Sequence, residues 1–257
     1  MELKEKISGL IITFNEEKNI QEILDDFSIC DEIIVVDSFS SDQTVSISEK
    51  NPRVKIIQHP FEDFTKQRNV ALDAAANDWV LFLDGDERIT PELHQEIISE
   101  LNKFDKKDAY YFYRKFYFAG NPINFSGTQT DKNFRLFRKS KCRYVADKKV
   151  HETLAVNGSI GVFNNKLQHF SVSDYDSYRD KMIHYGNLKG QELFDKGKKF
   201  SVLTQYLKSA FKFFKTYFLR LGFLDGKEGF QLSVLQTLSV FETYESLKKE
   251  QLKSKLG

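Results

Sequence analysis

The sequence predicts an α/β fold: a Rossmann-type, mostly parallel sheet with antiparallel additions and a helical C-terminal extension. Three observations predict it. Short apolar runs alternate with helical patterns through the first hundred residues, which implies parallel strands with helices on both faces. From Tyr110 to His169 strand-like segments follow one another without long helices, the pattern of antiparallel additions. From Asp176 onward helical periodicity returns in about three helices. The expected division is a domain over 1–175, in halves 1–104 and 105–175, and an extension over 176–257.

Residues 7–12, 32–36, 54–58 and 79–83 read as strands, being brief runs rich in Ile, Val and Leu. Residues 16–27, 42–49, 65–76 and 91–101 read as helices, with Ser41-Asp42 and Thr90-Pro91 as start signals. YYFYRKFYF, FRLF and the segments around Val150 and Ile160 read as the later strands.

The chain has 257 residues, with 38 Lys plus Arg against 37 Asp plus Glu, so overall charge points to no particular partner. Its two cysteines, Cys30 and Cys142, are far apart, which excludes a disulfide framework or thiolate metal site and fits a reducing compartment. The N-terminal residues carry no apolar stretch of signal-peptide length, and no uncharged run of about 18 residues occurs, so neither a signal peptide nor a spanning helix is expected. The expected location is cytoplasmic, with peripheral contact at the inner face of the cytoplasmic membrane.

Candidate chemistry lies where the strands end. The first ends in Thr13-Phe14-Asn15-Glu16, the second in Asp37-Ser38 with Asp42 close behind, and the fourth in Asp84-Gly85-Asp86-Glu87; the third helix opens Thr65-Lys66-Gln67-Arg68-Asn69. A parallel sheet gathers these at one edge, where ligands of open α/β sheets bind. Each alone has a plain reading, since Asn15 and Asp42 are good helix caps and an acidic turn needs no ligand. A dinucleotide site would need glycines after the first strand, where TFNEE has none; no P-loop occurs; and an EF-hand starting at Asp84 has Ile89 in place of its glycine. A hard divalent cation survives these tests. In an extended segment Asp84 and Asp86 would point the same way, with Gly85 leaving room for a ligand, and such a cation keeps positions open for substrate phosphates.

The ordered set ITFNEE, IIVVDSFSSDQT, FTKQRNVAL and VLFLDGDE resembles family 2 glycosyltransferases of the GT-A fold. Downstream, FRLFRKSKCRYVADKKVHETL, LQHFS and RLGFLDGKEGF resemble a bacterial subgroup that builds lipopolysaccharide core and related surface glycans, so the likeness covers nearly the whole chain. The resemblance implies inverting transfer of glucose or another hexose from a nucleotide diphosphate donor, UDP favoured, to a lipid-linked glycan acceptor, with Mn or Mg as cofactor. Residues 1–175 would be the GT-A catalytic domain, 1–104 binding the donor and 105–175 facing the acceptor. Thr13, Asn15, Glu16 and Asp37 would hold base and ribose. Asp42, Gln67, Arg68 and Asn69 would line the nucleotide pocket. Asp86 would be the direct metal ligand, Asp84 would lie nearer ribose or sugar, and His169 would be a third ligand.

Inverting transfer needs a carboxylate to take the acceptor proton. The resemblance assigns that role to Glu152, with His151 positioning it or touching the diphosphate; Asp147 and Asp131 are the alternatives. Two other function classes remain. A sugar-phosphate nucleotidyltransferase would call for a Gly-rich basic N-terminal loop, and a non-catalytic nucleotide-sugar-binding protein has no need of intact DGD and HE motifs.

Lys196 to Leu224 holds seven Lys or Arg and no acid. Within 206–224, Lys208, Lys212 and Lys215 fall on roughly one helical face and aromatics cover much of the rest, the composition of a helix at an anionic membrane surface. A helix packing its aromatics on the catalytic domain is the alternative. Nucleic acid is an unattractive partner, because the basic stretch is local and the acidic strand-end edge would repel phosphate in the absence of metal.

Overall fold

The structure is a computed structural model that describes residues 3–148, 151–172 and 174–256, with the side chains of 146–152, 171, 255 and 256 outside that description. In chain order the elements are β1 (Ile7–Thr13), α1 (Ile20–Asp26), β2 (Glu32–Asp37), α2 (Thr44–Ser48), β3 (Val54–Gln58), α3 (Phe64–Ala74), β4 (Trp79–Phe82), β5 (Glu87–Arg88) and α4 (Pro91–Leu101). There follow β6 (Ala109–Phe118), β7 (Asn121–Ile123), β8 (Lys132–Arg138), β9 (Cys142–Lys148), β10 (His151–Val156), β11 (Ile160–Val162) and β12 (Leu167–Val172). The helices α5 (Tyr175–Asp195), α6 (Val202–Phe214) and α7 (Gly226–Leu256) close the chain, with a π-helical turn over Lys215–Leu219 and a 3-10 turn over Gly222–Asp225 before α7.

These elements form two compact units, one of residues 1–114 and 132–169, the other of 115–131 and 170–257. The second unit therefore begins a few residues before the boundary expected at 175/176 and also takes in 115–131.

In the first unit the strand order runs β3-β2-β1-β4-β8-β6. The first four strands are parallel; β8 is antiparallel to both β4 and β6. One expected antiparallel addition differs: β11 runs parallel to β6, Ile160 opposite Ala109. β5 and β12 pair antiparallel, as do β9 and β10.

Alternation along the central strands fills both faces of this sheet. Ile7, Ile11, Ile33, Val35, Trp79 and Leu81 pack on one side with Ile23, Leu24, Leu93 and Ile97 of α1 and α4. Leu10, Ile34, Val36, Val80 and Phe82 pack on the other with Ala71 and Leu72 of α3. Each fully buried large side chain contributes about 1.5–3 kcal/mol, so a polar substitution at Leu81 or Val36 would strike the core directly. Thr90 caps α4 through Leu93 N at 3.2 Å with Pro91 in its first turn, as the sequence signal predicts, and Asp63, which sequence reading did not single out, caps α3 through Lys66 N at 2.7 Å.

The helix expected from Glu16 starts later, at Ile20. Asn15 has φ 56, a left-handed turn residue that breaks the path from strand to helix, and Glu16 to Asn19 form a turn closed by Asn19 N donating to Glu16 O. Both cysteines are free and buried. No helix among the described residues is long and apolar enough to cross a membrane.

The second unit has its own apolar centre. Phe116, Phe118 and Ile123 pack there with Val172, Met182, Leu232 and Leu235.

Candidate active site

β1 and β2 deliver their ends side by side, Thr13 opposite Asp37. The Thr13 hydroxyl donates to Asp37 Oδ1 at 3.0 Å, and the buried Asp37 carboxylate also accepts the backbone N–H of Ser40 at 2.8 Å. Asn15 returns the tie, its N–H donating to the Ser40 hydroxyl and its Oδ1 accepting from Ser41 N at 2.9 Å. Asp42 accepts from Thr44 N at 3.0 Å and from Glu17 N at 3.1 Å, while Glu16 N donates to the Thr44 hydroxyl. Desolvation pushes the Asp42 carboxyl up, and these hydrogen bonds outweigh it and hold the group below its ordinary value. Asp42 is not the cap its residue type predicts: α2 starts at Thr44 with Gln43 before it and no side-chain cap, and Asp42 instead closes a short turn onto Thr44 and stitches two loops together.

On α3, buried Gln67 donates to the Ser38 hydroxyl at 2.9 Å, and its Oε1 lies 2.9 Å from His59 Nδ1. Asn69 faces elsewhere: its amide donates to Tyr144 O at 2.9 Å and accepts from Tyr144 N at 3.2 Å, tying α3 to β9. Two phenylalanines stand out at the β1 and β2 ends, Phe14 at 60% and Phe39 at 59% exposure. Phe39 has φ 61, a costly conformation for an aromatic residue and a mark of a loop held by its surroundings.

The acids after β4 do not lie in an extended segment. Asp84 to Glu87 form a turn, with Glu87 N donating to Asp84 O at 3.0 Å, so the expected same-side alternation of Asp84 and Asp86 is replaced by different partners for each. The cause is Glu87: fully buried, it accepts from Arg135 Nη2 at 2.8 Å, and its Oε2 accepts from Asp84 N at 3.1 Å. Asp84 accepts from Arg68 Nη2 at 2.7 Å and from Arg135. Burial opposes its ionisation, but Arg135 and Arg68 outweigh burial and hold the carboxyl well below the usual range. Arg68 in turn sits over the rings of Phe82 and Tyr144, at 4.7 and 5.4 Å.

Asp86 meets His169, which β12 brings beside the turn by pairing His169 with Glu87. Nε2 of His169 lies 3.3 Å from Asp86 Oδ2. Burial pushes the Asp86 carboxyl up, yet the His169 hydrogen bond and the Arg114 charge hold it below its ordinary value. Glu16 closes over the same turn: a Cβ on Gly85 would sit 2.9 Å from its carboxyl carbon, so glycine is what lets the carboxylate approach.

His151 and Glu152 are adjacent on β10, opposite Lys148 and Ala146 of β9, with a register shift between them. Their side chains, and that of Asp147, lie outside the described residues; Asp131 lies in the second unit. Arg135 and Glu87 escaped sequence reasoning. The available signal was a charged residue inside the apolar FRLF strand, which needs a buried acid as partner.

The family model described as Glycosyl transferase family 2 matches residues 8–155. An uncharacterized glycosyltransferase of Rickettsia conorii is 30% identical over 264 residues, covering 98% of this chain and 93% of the relative. The lipopolysaccharide core biosynthesis glycosyltransferase LpsC of Rhizobium meliloti is 28% identical over 225 residues, covering 86% and 82%. The solved structure of residues 1–349 of S. aureus TarS in complex with UDP is 17% identical with a TM-score of 0.49, covering 96% of this chain and 92% of that one.

Proposed function

Because the chain belongs to glycosyl transferase family 2, we propose that it is an inverting, metal-dependent hexosyltransferase. It would take glucose or another hexose from a nucleotide diphosphate donor, UDP favoured, and pass it to a hydroxyl of a lipid-linked lipopolysaccharide-core or related cell-envelope glycan. Likeness to LpsC supports the acceptor class. The observation that carries the reading is the divergence of Asp84 and Asp86, one held by two guanidiniums and the other against an imidazole.

That divergence supports separate roles for the two acids. Asp86 Oδ2 and His169 Nε2, 3.3 Å apart, are a carboxylate oxygen and an imidazole nitrogen, a donor pair that suits Mn²⁺ and leaves positions for phosphate oxygens. Asp86 and His169 would hold the cation, which when bound supplies positive charge against the departing diphosphate. Asp84, already neutralised by Arg68 and Arg135, is the acceptor left for ribose or sugar hydroxyls. The network through Thr13, Asn15, Glu16, Asp37, Asp42 and Gln67 holds the donor loops in place before ligand arrives, so less ordering cost falls on binding. Phe14 and Phe39 offer flat faces on which a nucleobase can stack. Asn69 contributes by fixing β9 against α3.

In the transfer, the acceptor oxygen forms a bond to the anomeric carbon from the face opposite the diphosphate. The bond from that carbon to the diphosphate oxygen breaks, and nucleoside diphosphate leaves with the electron pair. The acceptor proton goes to Glu152, with His151 positioning it, an assignment resting on the Val150-His151-Glu152-Thr153-Leu154 motif.

A thermal-shift series with UDP-glucose, with and without Mn²⁺, tests the core of this reading. Stabilisation is expected only with metal, and Asp86→Asn should abolish the metal-dependent part. Glu152→Gln should keep that stabilisation while transfer falls by about 10²–10⁴-fold. No response to any nucleotide sugar with metal present would overturn the assignment; near-normal turnover in Glu152→Gln would move the base elsewhere.

A further inference from the structure

α6 is turned inside out. A surface helix ordinarily buries its apolar stripe and shows its polar face to water. Here the buried residues are Gln205 and Ser209, joined by Thr216 of the π turn. Gln205 fixes the packing by donating to Phe241 O at 3.2 Å and to Glu245 at 2.9 Å, both in α7. The opposite face carries Leu203, Tyr206, Leu207, Phe211, Phe214 and Phe218, each between 48% and 68% exposed. The stripe continues into the π turn, where Phe218 lies beside Phe214, ring centroids 5.4 Å apart.

Cations flank this stripe. Lys208, Lys212 and Lys215 run along one side, within a stretch from 196 to 224 that holds no acid. Lys212 is half-buried, and burial first, then Arg220 and Lys215, lower its pKa. A contiguous apolar stripe of this kind marks a contact surface, and its charge selects among occupants. A second copy docking antiparallel across a two-fold axis would set the same lysines against each other. An anionic lipid surface takes the rings and leucines among its acyl chains and the lysines among its headgroups.

We propose that the outward face of α6 and the π turn is a docking surface for anionic membrane lipid, on which the helix lies in the plane of the interface. This goes beyond the proposed glycosyl transfer and stands without it, since vesicle binding and turnover are read separately.

The test is co-sedimentation of the full chain with vesicles of phosphatidylcholine alone and of phosphatidylcholine mixed with phosphatidylglycerol. Binding is expected to the mixed vesicles and to weaken as salt rises. The triple variant Leu207→Ser, Phe211→Ser, Phe214→Ser should bind at least about tenfold more weakly. Its thermal melting should match wild type, because the replaced side chains protrude. Lys215→Gln should reduce binding to mixed vesicles while leaving the melting curve unchanged. Wild-type protein remaining in the supernatant with mixed vesicles would overturn the proposal. So would undiminished binding by the triple variant, or a wild-type dimer that the triple variant converts to monomer.

Discussion

Arg135 is the residue on which the DGD turn depends. It is 3% exposed and joins the Asp84 carboxylate to that of Glu87, which no water reaches. Removing a partner from a buried ion pair leaves an uncompensated charge, a loss of about 3–5 kcal/mol. Arg135→Met is therefore expected to lower stability by that order in urea unfolding, well beyond what its lost packing predicts. The gap should depend on pH. Asp84 has a depressed folded pKa, so its contribution is full above the unfolded carboxylate value of about 3.9 and is lost as pH falls through the lower folded value. Wild type and Arg135→Met should accordingly converge in acid.

At the scale of elements, the α5–α7 seam shows packing prevailing over propensity. Gly186 and Gly190 lie one turn apart on α5 and are buried. A Cβ on Gly190 would fall 2.4 Å from Ser246 Cβ and 2.6 Å from Thr243 O, so α7 occupies the space a side chain would need. Ala is a better helix former than Gly by about 1 kcal/mol, which taken alone predicts that Gly190→Ala stabilises. The backbone oxygen cannot yield as a side-chain tip can, so Gly190→Ala is expected to lower Tm, with a cost of about 1–3 kcal/mol typical of overpacking. A raised Tm would mean the seam opens freely. The DGD turn carries the same lesson in the first unit, because one buried acid, Glu87, closes a turn where strand alternation would have kept Asp84 and Asp86 on one side.

At the scale of the molecule, the second unit is discontinuous in sequence. Phe116, Phe118 and Ile123 belong to the same core as Met182, Leu232 and Leu235, which lie far along the chain. A chain ending at residue 175 would leave those aromatic side chains uncovered, and exposed apolar surface of that kind drives association. Such a truncation is expected to elute from size exclusion as aggregate; a monomer with a cooperative melt would show that 115–131 needs no helical partner.

Periodicity and turn chemistry sufficed for the alternating strands and helices, the capped start of α4, and the edge on which Thr13, Asp37 and Asp84 arrive, because those properties come from near neighbours in the chain. Family motifs supplied the ordered set of candidates along that edge. Partner choice lay outside the reach of local pattern. Asp84 takes Arg68 from 16 residues away and Arg135 from 51, and Asp86 takes His169 from β12, contacts that exist only once strands from distant parts of the chain are paired. The same holds for α6. Its sequence specifies an apolar stripe and a row of lysines, but a helix can rotate about its axis. Only the hydrogen bonds of Gln205 to α7 decide that the polar side packs inward and the apolar side meets the solvent.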